Sequence, residues 1–87
     1  MYNFEFSKKF KKSYLKLTSQ EQKQVDDKLR MLSFNPSHPS LRAKKIKKSD
    51  NLFESSVNMD IRIVWCFEEN NNIYLIDIGH HKIIDKF

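Results

Sequence analysis

The chain has 87 residues and a formal net charge of +5, a length that suits one domain, residues 1–87, with a modest core. No apolar run is long enough to cross a bilayer, and the first residues lack the apolar centre of a signal peptide, so we expect a cytoplasmic protein with no membrane partner. A single cysteine excludes an internal disulfide, and one cysteine with three histidines argues against a closed structural zinc site.

The positive charge is concentrated in the first half of the chain. Residues 1–49 contain 13 lysines and arginines against four acidic residues, whereas residues 50–87 contain three against seven. A concentrated positive surface predicts a polyanionic partner, most simply nucleic acid. The alternative is that the lysine-rich helices are simply solvated, and for the first helix both interpretations stay open.

The chain begins with a predicted strand and an amphipathic helix. "MYNFEF" alternates apolar and polar residues, as a half-buried strand does. Ser7 then offers an N-cap. Apolar residues follow at helical spacing at Phe10, Tyr14 and Leu17, with lysines between them, which predicts about three helical turns.

A second helix begins at "TSQEQ", whose spacing allows two alternative capping boxes. These are Thr18 with Glu21 and Ser19 with Gln22. The apolar face of this helix contains Val25, Leu29 and Leu32. Asp26 and Arg30 have the spacing of a helical ion pair. "NPSHP" ends the helix, so the two helices should form a hairpin packed on one face of a sheet.

Three strand candidates fill the second half of the chain. They are "LFESSV" at 52–57, "IRIVWCF" at 61–67 and "IYLIDI" at 73–78. "EENNN" predicts a hairpin loop, because asparagine tolerates left-handed backbone. Gly79 ends the last strand, and the tail is expected to add a short strand or turn. The order strand–helix–helix–strand–strand–strand predicts an α+β domain with one sheet face partly open.

The strand at 61–67 carries a charge among apolar residues. Strand alternation places Ile61, Ile63, Trp65 and Phe67 against the helices. It directs Arg62, Val64 and Cys66 to the open face. Arg62 can there contact a ligand or pair with Glu54 on the neighbouring strand, and the sequence leaves both interpretations open.

Two further features could carry chemistry. "GHHK" places His80 and His81 at a strand end, and histidine is the side chain best suited to proton transfer near neutral pH. If the backbone is extended, the two point to opposite sides and differ in role; the alternative is that they are polar surface residues. A basic cluster is formed by Arg42, Lys44, Lys45, Lys47 and Lys48. Such a cluster contacts phosphates or is a solvated loop.

"HPSLRAKKIKKSDNLFESSVNMDIRIVWCFEENNNIYLIDIGHHKIID" resembles the carboxy-terminal two-thirds of the RelE/ParE toxin superfamily, on its RelE/YafQ-like side. The shared pattern is a basic segment, a strand, a "dxRIxF/Y" strand, a hairpin and a strand ending in "IGxH". "FSKKFKKSYLKL" resembles the first strand and helix of the same superfamily. The similarity covers nearly the whole chain.

The resemblance implies the RelE-like fold and the toxin of a type II toxin–antitoxin pair. Such toxins enter the ribosomal A site and cut mRNA without a metal or other cofactor. The 2′-hydroxyl attacks the adjacent phosphate and leaves a 2′,3′-cyclic phosphate and a 5′-hydroxyl. The implied partners are the ribosome, mRNA and a cognate antitoxin protein, with which the toxin forms a hetero-oligomer.

By position, the resemblance assigns Arg62 to the scissile phosphate and His81 to general acid or base catalysis, with His80 as a secondary candidate. It assigns the lysines of the basic cluster to RNA phosphates. Many relatives have aspartate where this chain has Lys82, and many have a tyrosine near the end, where this chain has Phe87. These departures keep two alternatives open: a non-catalytic ParE-like inhibitor of DNA gyrase, and an inactive RNA-binding relative.

Overall fold

A computed structural model describes all 87 residues. The strands are β1 (Asn3–Phe6), β2 (Lys44–Lys45), β3 (Phe53–Ser56), β4 (Ile61–Glu68) and β5 (Asn72–His80). The helices are α1 (Lys8–Leu15) and α2 (Ser19–Phe34), with short 3-10 helices at Pro39–Leu41 and His81–Lys86. None of these helices is both long enough and apolar enough to cross a membrane.

The strands form one mixed sheet in the order β1–β5–β4–β3–β2. β1 runs parallel to β5, and the other neighbouring strands are antiparallel. A parallel pair needs a long connection, and the connection from β1 to β5 contains both helices. The predicted α+β class and the four predicted strands are confirmed, whereas the short β2 inside the basic cluster is not evident from the sequence pattern.

Both helices begin where the sequence predicts. The Ser7 hydroxyl accepts a hydrogen bond from the Phe10 backbone N–H at 2.9 Å and caps α1. Thr18 and Glu21 form the reciprocal capping box of α2, which decides between the two alternatives. α1 has eight residues, about two turns rather than three.

The prediction that Asp26 and Arg30 form an ion pair is wrong. Arg30 pairs instead with Asp27. The Asp26 carboxylate contacts α1 instead, where it accepts a hydrogen bond from the Tyr14 hydroxyl at 2.8 Å. The Gln22 side chain donates to the Tyr14 carbonyl at 2.9 Å. These two bonds join α1 to α2 as the predicted helix hairpin requires.

The hydrophobic core lies between the helices and one face of the sheet. It contains Phe10, Val25 and Leu32 from the helices and Ile61, Ile63, Trp65, Ile73, Leu75 and Ile78 from the strands. The Trp65 ring stacks on Phe53 with 4.8 Å between centroids, and its N–H donates to the Ser55 hydroxyl at 2.9 Å. The only tryptophan is therefore both buried and hydrogen-bonded, as a buried indole requires.

A β-bulge in β5 determines which residues of that strand reach the core. Ile76 has no partner on β4, between the paired residues Leu75 and Asp77. The extra residue lets Leu75 and Ile78 both join the core, although they are three positions apart. Asp77 is buried at the bulge and accepts a hydrogen bond from the Ser13 hydroxyl at 3.0 Å, which connects β5 to α1.

Burial along β4 differs from the expectation at three positions. Phe67 does not pack under the helices but is 46% exposed, because it lies near the end of β4 at the margin of the core. Val64 and Cys66 are buried rather than open to solvent. The reason is that the C-terminal 3-10 helix, which the sequence left as a strand or turn, contacts β4 and β5.

Candidate functional site

A groove of about 460 Å³ lies between β3, β4 and the C-terminal 3-10 helix, and we call it the Arg62 groove. Its lining residues are Arg42, Lys44, Glu54, Ser56, Met59, Arg62, His81 and Ile84. Arg62 and His81, which are 19 positions apart in the sequence, therefore face the same space. His80 does not line this groove.

The Arg62 guanidinium is held in place by its own strand and loop. Its Nη1 donates to the carbonyl of Asn58 at 2.7 Å and to that of Ile61 at 3.2 Å. Its Nε lies 4.0 Å from the Glu54 carboxylate, and only 20% of the Arg62 side chain is exposed. Both interpretations of Arg62 are therefore compatible, because it pairs with Glu54 and still borders the groove.

The loop between β3 and β4 is organised by Asn58. Its side-chain oxygen accepts hydrogen bonds from the backbone N–H groups of Asp60 and Ile61, both at 2.8 Å. Its amide nitrogen donates to the Gln24 side chain at 2.8 Å, which anchors the loop to α2. Asn58 thereby sets the position of Arg62 through its carbonyl and of Asp60 through its side chain.

Asp60 connects this loop to both histidines. Its carboxylate lies 2.5 Å from Nδ1 of His80 and 3.5 Å from Nδ1 of His81. The hydrogen bond from His80 is the main cause that holds the pKa of Asp60 below its ordinary value, and His81 contributes less. The carboxylate is therefore ionised at neutral pH, and it orients the His80 ring by a hydrogen bond and lies within ion-pair distance of the His81 ring.

The two histidines differ in position, as strand geometry led us to expect. His80 is the last residue of β5 and lines a separate depression beside α1 that includes Ser13 and Lys16. His81 begins the C-terminal 3-10 helix and borders the Arg62 groove. Because its Nδ1 faces Asp60, Nε2 is the ring atom of His81 that remains for a ligand.

The basic cluster is divided between the Arg62 groove and a second groove of about 290 Å³ next to it. Arg42 and Lys44 line the Arg62 groove. The second groove is lined by Lys44, Lys45, Lys47 and Lys48, together with Glu54 and residues of the C-terminal 3-10 helix. All five basic side chains are exposed, and none forms an ion pair. The buried Ile46 anchors the segment.

Solved structures of known toxins share this architecture. YafQ from Escherichia coli superposes with a TM-score of 0.75 at 14% identity, covering 97% of this chain and 98% of that chain. The YoeB/ParE toxin from Agrobacterium tumefaciens gives 0.77 at 12% identity, covering 93% and 99%. The E. coli RelBE toxin–antitoxin complex gives 0.74 at 18% identity, covering 92% and 96%. The chain has the RelE/ParE toxin fold.

No protein-family model matches the sequence, and no curated protein does. The RelE/ParE toxin fold is therefore evident in the three-dimensional structure at a sequence identity of 12–18% to the toxins above. The solved structures span RelE, YafQ and YoeB/ParE toxins, so the fold is shared across these branches. The residues of the Arg62 groove, rather than the fold, must carry an argument about chemistry.

The two departures from the RelE-like sequence pattern lie apart from Arg62 in this fold. Lys82 is exposed on the same side as His80 and does not line the Arg62 groove. Phe87 lines the second groove, and Nζ of Lys9 lies 5.6 Å from its ring centroid. Of the groove-lining residues, Ser56 alone supplies a hydroxyl.

The sequence did not single out Asn58 or Asp60, which position the predicted residues in this toxin fold. The available signal was weak: "VNMD" is a polar turn between two strands, and asparagine favours such turns. Cys66 is not a candidate nucleophile, because burial, with a smaller effect of Glu68, raises the pKa of its thiol. No cluster of three or more histidine, cysteine or carboxylate side chains could hold a metal ion.

Proposed function

We propose that this protein is the toxin of a type II toxin–antitoxin pair and that it cuts mRNA on the ribosome. The observation that carries the proposal is the shared groove, which brings a fixed arginine and an oriented histidine together beside unpaired cations. A metal-independent ribonuclease needs these groups, because it must move protons and stabilise charge on the phosphate.

In the proposed reaction, the 2′-hydroxyl of the substrate attacks the adjacent phosphorus and the bond to the 5′-oxygen breaks. The products are a 2′,3′-cyclic phosphate and a 5′-hydroxyl. His81 transfers a proton through Nε2, either from the attacking hydroxyl or to the leaving oxygen. Asp60 holds Nδ1 of His81 and so fixes the direction of the ring. His80 is the secondary candidate for this role.

Arg62 stabilises the charge that develops on the phosphate. Nη1 donates to two backbone carbonyls, whereas Nη2 forms no hydrogen bond within the protein and can donate to a phosphate oxygen. Glu54 holds Nε from the neighbouring strand. A guanidinium that is already oriented loses little entropy when it binds the transition state.

The basic cluster supplies contacts to RNA that are independent of sequence. Its side chains are exposed cations without acidic partners, and they continue from the Arg62 groove into the second groove. We assign Arg42, Lys44, Lys45, Lys47 and Lys48 to phosphates of mRNA and ribosomal RNA. Affinity for programmed ribosomes should therefore fall as salt concentration rises.

A cognate antitoxin is the proposed protein partner. Similar solved structures include the intact E. coli RelBE complex and a RelE–RelB complex from Pyrococcus horikoshii. For this chain we expect an antitoxin with an acidic segment that folds on the basic grooves. A small protein encoded beside this gene should copurify with the toxin.

The test of the nuclease is to map mRNA ends in cells after brief induction. Wild-type protein should arrest growth and create new 5′ ends within translated messages. His81→Ala should lower the cleavage rate by roughly two orders of magnitude or more, the effect of losing a general acid or base. Gln20→Ala is the control, because Gln20 is exposed on α2 and lines neither the Arg62 groove nor the second groove.

A second function is favoured by one observation. The groove offers no tyrosine hydroxyl, and Lys82 points elsewhere, so a non-catalytic toxin that inhibits DNA gyrase is the alternative. Growth arrest with intact mRNA would contradict the nuclease. Loss of gyrase supercoiling in the same cells would then support the alternative, whereas unaffected growth would indicate an inactive RNA-binding relative.

A further inference from the structure

A third cavity of about 320 Å³, which we call the aromatic pocket, shares the lining residue Arg42 with the Arg62 groove. Its lining includes His38, Pro39, Arg42, Phe53, Trp65 and Phe67. Besides His38, three aromatic side chains line it, and no carboxylate does. Nothing in the proposed reaction uses it.

The floor of the aromatic pocket is rigid. Phe53 and Trp65 are stacked, and the hydrogen bond from Trp65 to Ser55 fixes the indole. Phe67 stands nearly perpendicular to both rings, with centroids 5.5 Å from Phe53 and 5.0 Å from Trp65. Phe67 is also 46% exposed, so part of an immobilised ring faces solvent.

Arg42 connects the aromatic pocket to the Arg62 groove, because it lines both. Its backbone is left-handed, with φ of 49°, and its N–H donates to the Pro39 carbonyl at 3.1 Å. The side chain is exposed and has no acidic partner. Because side chains alternate along β4, Arg62 and Phe67 lie on opposite faces of the sheet, and Arg42, beside the edge strand β2, is the residue that both cavities share.

We propose that the aromatic pocket binds one nucleobase of the RNA, stacked on Phe67, while Arg42 holds the phosphate that links this nucleotide to the one in the Arg62 groove. The inference rests on the proposed function, since it requires an RNA in that groove. A preorganised aromatic ring next to an unpaired cation matches a nucleotide, which combines an apolar base with an anionic phosphate. Because every base can stack on an aromatic ring, this subsite should fix the position of the RNA without selecting a particular base.

The test is a double-mutant cycle between protein and RNA. Ribosomes are loaded either with an intact mRNA or with one of a set of mRNAs, each of which lacks the base of one A-site nucleotide. Binding is measured with an mRNA that carries 2′-deoxyribose at the cleavage position, so that the attacking hydroxyl is absent and the result does not depend on catalysis. An abasic residue at one position should weaken binding by about five- to a hundredfold, the range for loss of one stacked base. With Phe67→Leu protein, the same abasic residue should have no effect.

Phe67→Leu is preferred to alanine because leucine keeps apolar contacts with the core margin but lacks a π face. Phe34→Leu is the matched control, because Phe34 is 70% exposed and does not line the aromatic pocket. The inference is overturned if each abasic substitution weakens binding by the same factor, relative to intact RNA, in the Phe67 and Phe34 variants. It is also overturned if Phe67→Leu weakens only antitoxin binding, which would make the pocket a protein-docking surface. Cleavage by wild-type protein without this coupling would leave the proposed function standing.

Discussion

Oδ1 of Asp60 lies 3.5 Å from Nδ1 of His81, across the gap between the β3–β4 loop and the C-terminal 3-10 helix. The same carboxylate lies 2.5 Å from Nδ1 of His80. One acidic side chain therefore contacts two histidines, of which only His81 borders the Arg62 groove.

Replacing Asp60 should reduce cleavage without abolishing it. Asp60→Ala removes the carboxylate beside Nδ1 of His81, and we expect cleavage to slow by about 10- to 100-fold, the loss typical when a metal-bound histidine loses its carboxylate partner. The initial rate on programmed ribosomes measures the effect. His80→Ala keeps the contact between Asp60 and His81 and should have a smaller effect. A loss with His80→Ala as large as that with His81→Ala would instead make His80 the proton-transfer group.

The lowered pKa of Asp60 predicts a dependence of stability on acid. A carboxyl whose pKa is lower in the folded state stabilises the fold above its unfolded pKa, and this contribution disappears as pH falls through the folded pKa. The wild-type protein should thus lose stability relative to Asp60→Asn below about pH 4, near the ordinary aspartate pKa. Thermal unfolding of both proteins from neutral to acidic pH measures the difference. A constant difference over that range would contradict the prediction.

The sequence was sufficient for the order of the elements and for the strand that carries Arg62. Period-two and helical patterns report which face of an element is apolar, Ser7 marked the start of α1 correctly, and Thr18 was one of two candidates for the start of α2. It was not sufficient for the bulge at Ile76 or for the 3-10 helix over the open face. Both depend on tertiary contacts, and the bulge shifts strand alternation by one residue.

The same limit applies to the site. Arg62 and His81 could be proposed from residue type and position, but their common groove depends on the turn that Asn58 organises. Asp60 follows Met59 in a short loop, and no periodic pattern indicates where such a side chain points. Contacts between the loop and the last helical turn are set by the folded backbone rather than by local sequence.

Replacement of Arg62 separates its chemical role from its structural one. Arg62→Ala should abolish growth arrest, while stability falls by less than about 2 kcal/mol, because a partly exposed hydrogen bond to the Asn58 carbonyl is lost. Denaturant unfolding and mRNA-end mapping supply the two measurements. Arg30→Ala is the control, since Arg30 pairs with Asp27 on the outer surface of α2. A larger loss of stability would show that Arg62 chiefly holds the β3–β4 loop.

The last prediction concerns Gly79, which lies within β5 rather than at its end, because the strand continues to His80. A Cβ at this position would lie 2.9 Å from Cγ2 of Ile83 in the C-terminal 3-10 helix. Gly79→Ala should therefore displace that helix and move His81 out of the Arg62 groove. We expect weaker cleavage and a loss of about 1–3 kcal/mol in stability, as is typical of an overpacked contact.

A compensating change tests whether this contact is the cause. Ile83→Ala removes the Cγ2 that the new Cβ would meet, so Gly79→Ala combined with Ile83→Ala should be less harmful than the sum of the two single changes. The free energy of unfolding and the cleavage rate should both show this coupling. Additive effects would mean that Gly79 acts through the backbone of β5 rather than through the packing of the C-terminal 3-10 helix, and that His81 is positioned independently of it.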